Sequence, residues 1–242
     1  MNGGMERMDV LNRYEKRVYS QNGEDGIIEE IFSRIGTTNR YCVEFGVGDG
    51  SECMLKNLVT QHGWSGLAME GDLNSCNKMS ADYAAYPQVI IKNELITREN
   101  IAGLFEKNGV QKEFDLLSID IDGNDYWVWQ ALSAYTPRLV VIEYNAAFPP
   151  PQKMVIVYQP DFKWGGNTYY GASLSSLAIL GTSLGYALVG TDSKGVNAFF
   201  VRRNLLLQSG FPELTPEQAY HPPRYGSVAG GHPPQSGPYL EI

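Results

Sequence analysis

Between residues 117 and 126 the chain reads Leu117-Ser-Ile-Asp-Ile-Asp-Gly-Asn-Asp-Tyr126, an apolar stretch that runs out into acids. Asp120 and Asp122 are two apart, the spacing that puts side chains on one face of a strand. Glu143 and Asn145 repeat it at the end of the next apolar run, Val141-Ile-Glu-Tyr-Asn145. If both runs are strands of a parallel sheet, these oxygens meet at its carboxyl edge, where ligands of open α/β sheets bind. Such a set can hold Mg²⁺ or Ca²⁺ through hard oxygen ligands. It can also bind a hydroxyl and take its proton as a general base. A simpler reading makes Asp122 to Asp125 a turn and helix cap leading into Tyr126 to Leu132.

A second constellation is Tyr41-Cys-Val-Glu-Phe-Gly-Val-Gly-Asp-Gly50, a buried strand entering a glycine turn. Glycines let backbone approach a ligand where a Cβ would collide. The dinucleotide fingerprint G-x-G-x-x-G is absent, because Gly46, Gly48 and Gly50 alternate and Ser51 holds the third-glycine position. Glu44, just before the first glycine, repels a pyrophosphate and attracts an ammonium. The spacing therefore favours S-adenosylmethionine (SAM), whose amino-acid end carries an ammonium. Glu70 and Asp72, after the next apolar run, suit the ribose hydroxyls. Asn93, after a third run, completes the candidate cofactor set.

The elements that must position these residues alternate. Ile27, Ile28, Ile31, Phe32 and Ile35 form a helical stripe stopped by Gly36, and Met54, Leu55, Leu58 and Val59 form a second that Gly63 closes. Strands are expected at 41–45, 64–69, 89–91, 114–121 and 139–144. Thr97 is a cap for a helix carrying Ile101, Leu104 and Phe105. Leu174 to Leu184 make the last helix, and Tyr186 to Gly190 with Asn197 to Val201 make a hairpin around Asp192-Ser-Lys-Gly195. This order predicts an α/β fold: a seven-stranded, mostly parallel Rossmann-like sheet with a terminal antiparallel hairpin and helices on both faces, the plan of class I SAM-dependent methyltransferases.

Four stretches together resemble the FkbM-type methyltransferases and the macrocin-type sugar O-methyltransferases: Tyr19-Ser-Gln-Asn-Gly-Glu-Asp-Gly26, Val43 to Gly50, Leu117 to Tyr126 and Ile142-Glu-Tyr-Asn145. The resemblance spans residues 19–203. It implies O-methylation of a sugar or glycosylated small molecule, with Gln21 closing over the cofactor. It also implies that Asp120 or Asp122 joins Glu143 or Asn145 at a divalent metal. Macrocin-type enzymes place two adjacent ligands after the fifth strand, whereas this chain has Glu143-Tyr-Asn145.

The catalytic candidates are thus Asp120, Asp122 and Glu143. A segment at 146–173, rich in aromatics and amides, suits a sugar ring, with Trp164, Asn167 and Tyr170 its candidate contacts and Asn124 and Tyr144 completing the acceptor set. If no metal serves, a histidine base is the alternative. His62 reads as a surface residue, and His221 and His232 reach the site only if the tail folds back.

Bulk properties narrow the partners. A formal charge of −8 on 242 residues, without a Lys/Arg cluster, argues against a nucleic-acid substrate. No run is apolar enough to span a bilayer and the start lacks a signal pattern, so a cytoplasmic location is expected, with homo-oligomerisation open. Residues 1–18 read as a frayed polar extension and 204–242 as an irregular Pro/Gly-rich tail. The competing classes are a nicotinamide oxidoreductase or epimerase, and a non-catalytic binding module.

Overall fold

The computed structural model describes Met8, residues 10–226 and residues 230–242. The first helix, α1 (Glu24–Ile35), buries Ile27, Ile28, Ile31, Phe32 and Ile35 on one face. Burying each such side chain stabilises by about 1.5–3 kcal/mol. Glu24 and Asp25 in its first turn complement the helix dipole, and Gly36 ends it with its N–H on Phe32 O.

β1 (Tyr41–Phe45) leads through the glycine turn into α2 (Met54–His62), then come β2 (Ser65–Glu70), α3 (Leu73–Asp82), β3 (Val89–Asn93), α4 (Ile101–Lys107), β4 (Leu116–Ile119), α5 (Asp125–Ala131) and β5 (Leu139–Glu143). The inserted segment contributes β6 (Met154–Ile156), and α6 (Leu174–Ser183), β7 (Tyr186–Thr191) and β8 (Asn197–Arg202) follow. Two short helices, α7 (Leu206–Ser209) and α8 (Pro216–Ala219), and a last strand, β9 (Tyr239–Glu241), complete the chain.

The main sheet has the order β3-β2-β1-β4-β5-β8-β7. Strands β1 to β5 run parallel, and β8 pairs antiparallel with both β5 and β7. This is the expected Rossmann-like class I methyltransferase fold, in which the antiparallel β8 sits between β5 and β7. Its two faces carry separate apolar cores. One is built around Phe105, Phe114, Trp129 and Leu177, the other around Ile27, Ile31, Leu55 and Leu58. The central strands β1, β4 and β5 are buried almost end to end, as their apolar sequences require.

Several expectations need correction. β4 stops at Ile119, two residues short of the expected end, because Ile121 N–H turns away to the Asp125 carboxylate. α3 was not foreseen; its stripe reduces to Cys76 and Met79, too short to show a period. Thr97 does not cap α4 directly; its hydroxyl receives Asn100 N–H one turn earlier, and Asn100 is the cap residue.

The frayed-extension expectation falls in part outside the described residues, and where the chain is described it is packed: Leu11 is fully buried against Gly190 and Asn12 donates to Thr191 O. The tail is not irregular throughout. β9 pairs antiparallel with β6, and Thr168 and Gln235 bond each other in both directions. Among the described residues no helix is long and apolar enough to cross a membrane.

Candidate active site

At the carboxyl edge of the parallel strands lies a groove of two chambers, 220 Å³ and 680 Å³, with Gly46, Gly48 and Asp120 lining both. Gly46 adopts φ 66°, and a Cβ there would stand 1.6 Å from the Asp120 carbonyl oxygen. Only glycine fits where β1 passes this close to the end of β4. Gly48 also has positive φ, but its missing Cβ faces open space and its N–H donates to Glu70 Oε2 at 2.8 Å. Gly50 serves packing rather than a ligand. It lines neither chamber, and a Cβ there would meet Met79 Cγ at 2.6 Å.

Glu70, Gly71 and Asp72 line the larger chamber with Leu95 and Ile96. Asp72 is also the N-cap of α3, receiving Ser75 N–H, and its own N–H donates to Glu70 Oε1. Asn93 does not face a ligand; its amide donates to the carbonyls of Glu70 and Gly71 and fixes their path. Glu44 lines the smaller chamber but is 6% exposed, and it accepts N–H from Met54 and Leu55 and the Ser118 hydroxyl. It therefore binds the N-terminus of α2 first. Burial pushes its carboxyl up to about 7 against those donors.

The segment before α1 explains its acids. Asp25 Oδ2 accepts the N–H groups of Val18, Tyr19 and Ser20 at 2.7–2.9 Å, and Ser20 Oγ returns a bond to Asp25 N–H. That ties down Ser20 and Gln21, which line the smaller chamber together with Ser51. Glu24 accepts from Asn22 and from Asn197 Nδ2 at 2.9 Å, linking this segment to β8.

The acids of the central strands do converge. Carboxylate oxygens of Asp120, Asp122 and Glu143 lie within 4.8 Å of one another. The turn carrying Asp120 and Asp122 is built by Asp125, whose two oxygens accept Ile121 N–H and Gly123 N–H, each at 2.8 Å, and Glu143 comes from the end of β5. Asp122 has φ 54°, a left-handed conformation that Asp tolerates. The simpler reading of the motif thus holds for Asp125, while Asp120 and Asp122 are left for the groove.

Glu143 Oε2 is buried without a hydrogen-bond partner. Burial, then repulsion from Asp122 and Asp125, holds Asp120 well above the ordinary carboxylate range. Glu143 is raised in the same way by burial, then Asp120. Three crowded carboxylates with an orphaned buried oxygen form a hard-oxygen donor set suited to a divalent cation.

Asn145 is not part of that set. Its Nδ2 donates to Thr168 O and Tyr170 O and its Oδ1 accepts Ala147 N–H, so it braces the inserted segment. Tyr144 points away from the groove, with its hydroxyl on His221 O at 2.7 Å. Asn145 departs from the expected alternation because β5 ends at Glu143, while Tyr144 alternates away from Glu143.

Asn124 and Trp164 line the larger chamber with Phe162 and Lys163. Asn124 Nδ2 donates to Gln159 O, leaving a buried Oδ1 without a partner. Asn167 and Tyr170 line neither chamber. Asn167 Oδ1 accepts Tyr169 N–H and its carbonyl accepts the Trp164 indole, while Tyr170 hydroxyl meets Tyr225 hydroxyl at 2.6 Å. They shape the wall from behind.

The tail does fold back. His232 packs on Trp164 with ring centroids 4.6 Å apart and on Tyr225 at 5.1 Å, and burial lowers its pKa. His221 Nδ1 bonds Thr191 hydroxyl at 2.8 Å, and His62 lies at the exposed end of α2 against Glu29. Residues the sequence reading missed are Asn197 and Glu24 in the smaller chamber and Phe162, whose ring lies over Gly123. Glu24 was visible in the motif before α1; Asn197 carried no signal because its partners lie far away in sequence.

No family model matches the chain, and no curated protein sequence matches it. Solved structures similar in fold include the N-terminal domain of EvdMO1 with SAH bound, at 13% identity over 76% of this chain and 81% of that one, TM-score 0.48. Others are a putative sarcosine dimethylglycine methyltransferase from Galdieria sulphuraria (14% identity, 71% and 64% of the two chains, TM-score 0.48) and a putative caffeoyl-CoA O-methyltransferase from Staphylococcus aureus (12%, 74% and 82%, TM-score 0.48). One of these neighbours holds SAH and the other two are described as putative methyltransferases, while the fold assignment rests on the strand order and pairing of the sheet itself.

Proposed function

We propose that the protein is a SAM-dependent O-methyltransferase of the FkbM/macrocin type, acting on a hydroxyl of a sugar or glycosylated small molecule. The observation that carries this reading is the meeting of Asp120, Asp122 and Glu143 within 4.8 Å, beside the open face of Gly48. A glycine with nothing facing its missing Cβ, an acid at the end of β2 and an anionic chamber at Glu44 fit SAM. An antiparallel β8 beside β5 is not the all-parallel sheet of a dinucleotide oxidoreductase.

When bound, SAM supplies an electrophilic methyl on a sulfonium. Glu70 would hold the ribose hydroxyls, and the glycine turn the sulfonium end. Asp120, Asp122 and Glu143 would hold Mg²⁺ or a similar ion, which lowers the pKa of a coordinated hydroxyl. Without an ion, the raised pKa of Asp120 or Glu143 suits it to accept the hydroxyl proton. In the proposed in-line displacement the acceptor oxygen would take the methyl that SAM supplies, with Asp120, Asp122 and Glu143 placed to hold the acceptor hydroxyl or its metal and to take its proton. Phe162 and Trp164 exclude water on the acceptor side, so alignment supplies much of the acceleration. With a net charge of −8, the acceptor is a small molecule or carbohydrate rather than a nucleic acid.

Calorimetric titration of chelator-treated protein with SAM, S-adenosylhomocysteine (SAH) and NADH, each with and without Mg²⁺, tests the reading. Micromolar binding of the two sulfur compounds alone supports it. Binding of NADH, or of none of the three, overturns it.

A further inference from the structure

Asn197 begins β8, directly opposite Glu143 at the end of β5. It is 3% exposed and lines the smaller chamber. Its amide orientation is fixed by chemistry: Glu24 Oε1 can only accept, so Nδ2 must face it, at 2.9 Å. Oδ1 then faces elsewhere, buried and without a partner. An unpaired buried carbonyl is costly to leave unsatisfied, so it invites a donor.

The charge around the chamber says which kind. Its lining includes Glu24, Glu44, Asp49, Glu52 and Asp120 and no described Lys, Arg or His. Two of these acids are paired outward, Asp49 with Lys78 and Glu52 with Arg17. Glu24, Glu44 and Asp120 have no ion-pair partner among the described residues. A neutral hydroxyl would satisfy Oδ1 but leave this charge unbalanced, whereas an ammonium answers both. Glu44, the acid first expected to meet such a group, is occupied by the N-terminus of α2.

We propose that Asn197, oriented by Glu24, is the residue that receives an ammonium group in the smaller chamber. The ammonium belongs either to the amino-acid end of SAM or to an amino-bearing acceptor. The proposal rests on the methyltransferase reading and goes beyond it in naming the ligand group and its partner on β8.

The test compares wild type with Asn197→Ala, and with Asn197→Ser, whose hydroxyl can still donate to Glu24; folding of each is checked by circular dichroism and melting. Calorimetry measures SAH against its deaminated analogue, and glucosamine against glucose on SAH-saturated protein. If the cofactor is the source, wild type prefers SAH over the deaminated analogue by about tenfold or more, roughly 1.4 kcal/mol, and Asn197→Ala flattens that preference. If the acceptor is the source, the glucosamine preference is the one that flattens. Equal preferences in wild type and folded variants overturn the proposal while leaving the methyltransferase reading intact. A wild-type protein that does not bind SAH brings both down.

Discussion

Gly46 and Asp120 are in backbone contact: the space where a Gly46 Cβ would sit is filled by the Asp120 carbonyl oxygen, 1.6 Å away. The glycine turn and the acid cluster are therefore one rigid unit, although 74 residues separate them in sequence.

That contact separates two glycine substitutions. Gly46→Ala must push β1 from β4 and should destabilise by several kcal/mol, seen as a large fall in melting temperature. Gly48→Ala meets no atom within 4 Å and should cost only about 1 kcal/mol for its left-handed backbone. SAH affinity should nevertheless fall at least tenfold in Gly48→Ala, because the new methyl enters the groove. Retained affinity would remove the turn from the binding site.

Asp25→Ala strips the acceptor from three backbone N–H groups and should cost about 2–3 kcal/mol. Hydrogen exchange at Val18, Tyr19 and Ser20 should accelerate more than in α1 itself. Unchanged protection there would mean that this carboxylate does not hold the segment.

Metal-free stability should fall as pH rises. Burial raises Glu44 to about 7 from 4.5, Asp125 to about 6 from 3.8 and Asp192 to about 7 from 3.8. A carboxyl whose folded pKa is raised holds more protons in the native state. Its stabilising share is complete below the unfolded value and lost as pH climbs to the folded one. Asp72 and Glu99, whose pKa values are lowered, act oppositely below about pH 4.5. Melting in chelator should therefore peak at about pH 5 and decline toward pH 8; a rising curve across that window would contradict the burial of these acids.

Mg²⁺ should reverse part of that decline at pH 8. A ligand at 100 times its dissociation constant stabilises by about 2.7 kcal/mol, worth roughly 5–10 °C for a chain of this size. Glu143→Gln and Asp120→Asn should lose the Mg²⁺ shift and most transfer activity while melting higher than wild type in chelator, since each relieves crowded charge. A full Mg²⁺ shift in both variants would place the ion elsewhere.

Much of this was legible in the sequence, and the exceptions have physical reasons. The stripe of α1, the glycine turn and the alternation of strands and helices along the chain were plain because each is written in adjacent residues. Asp120, Asp122 and Glu143 were found because acids ending apolar strands are unusual. Asn145 was misplaced because alternation from Glu143 was extrapolated past the last residue of β5, where the amide serves Thr168 and Tyr170, whereas Tyr144 points away from Glu143 as alternation itself requires. Asn197 stayed hidden because its meaning depends on Glu24, and no local pattern links residues 173 apart. β9 escaped notice since a three-residue strand among prolines has no period to detect.

The pair formed by β6 and β9 shares no ladder with the seven-stranded sheet. This small module meets the acid-bearing turn through loop contacts, Asn124 Nδ2 to Gln159 O and Gly171 N–H to Gly123 O, and not through a shared strand ladder. Changes confined to the small module leave the register of the strands that carry the acids untouched. For a protein engineer the corresponding cut points flank the insert and the last strand, and grafting both halves together should move selectivity while grafting either alone leaves an unmatched edge.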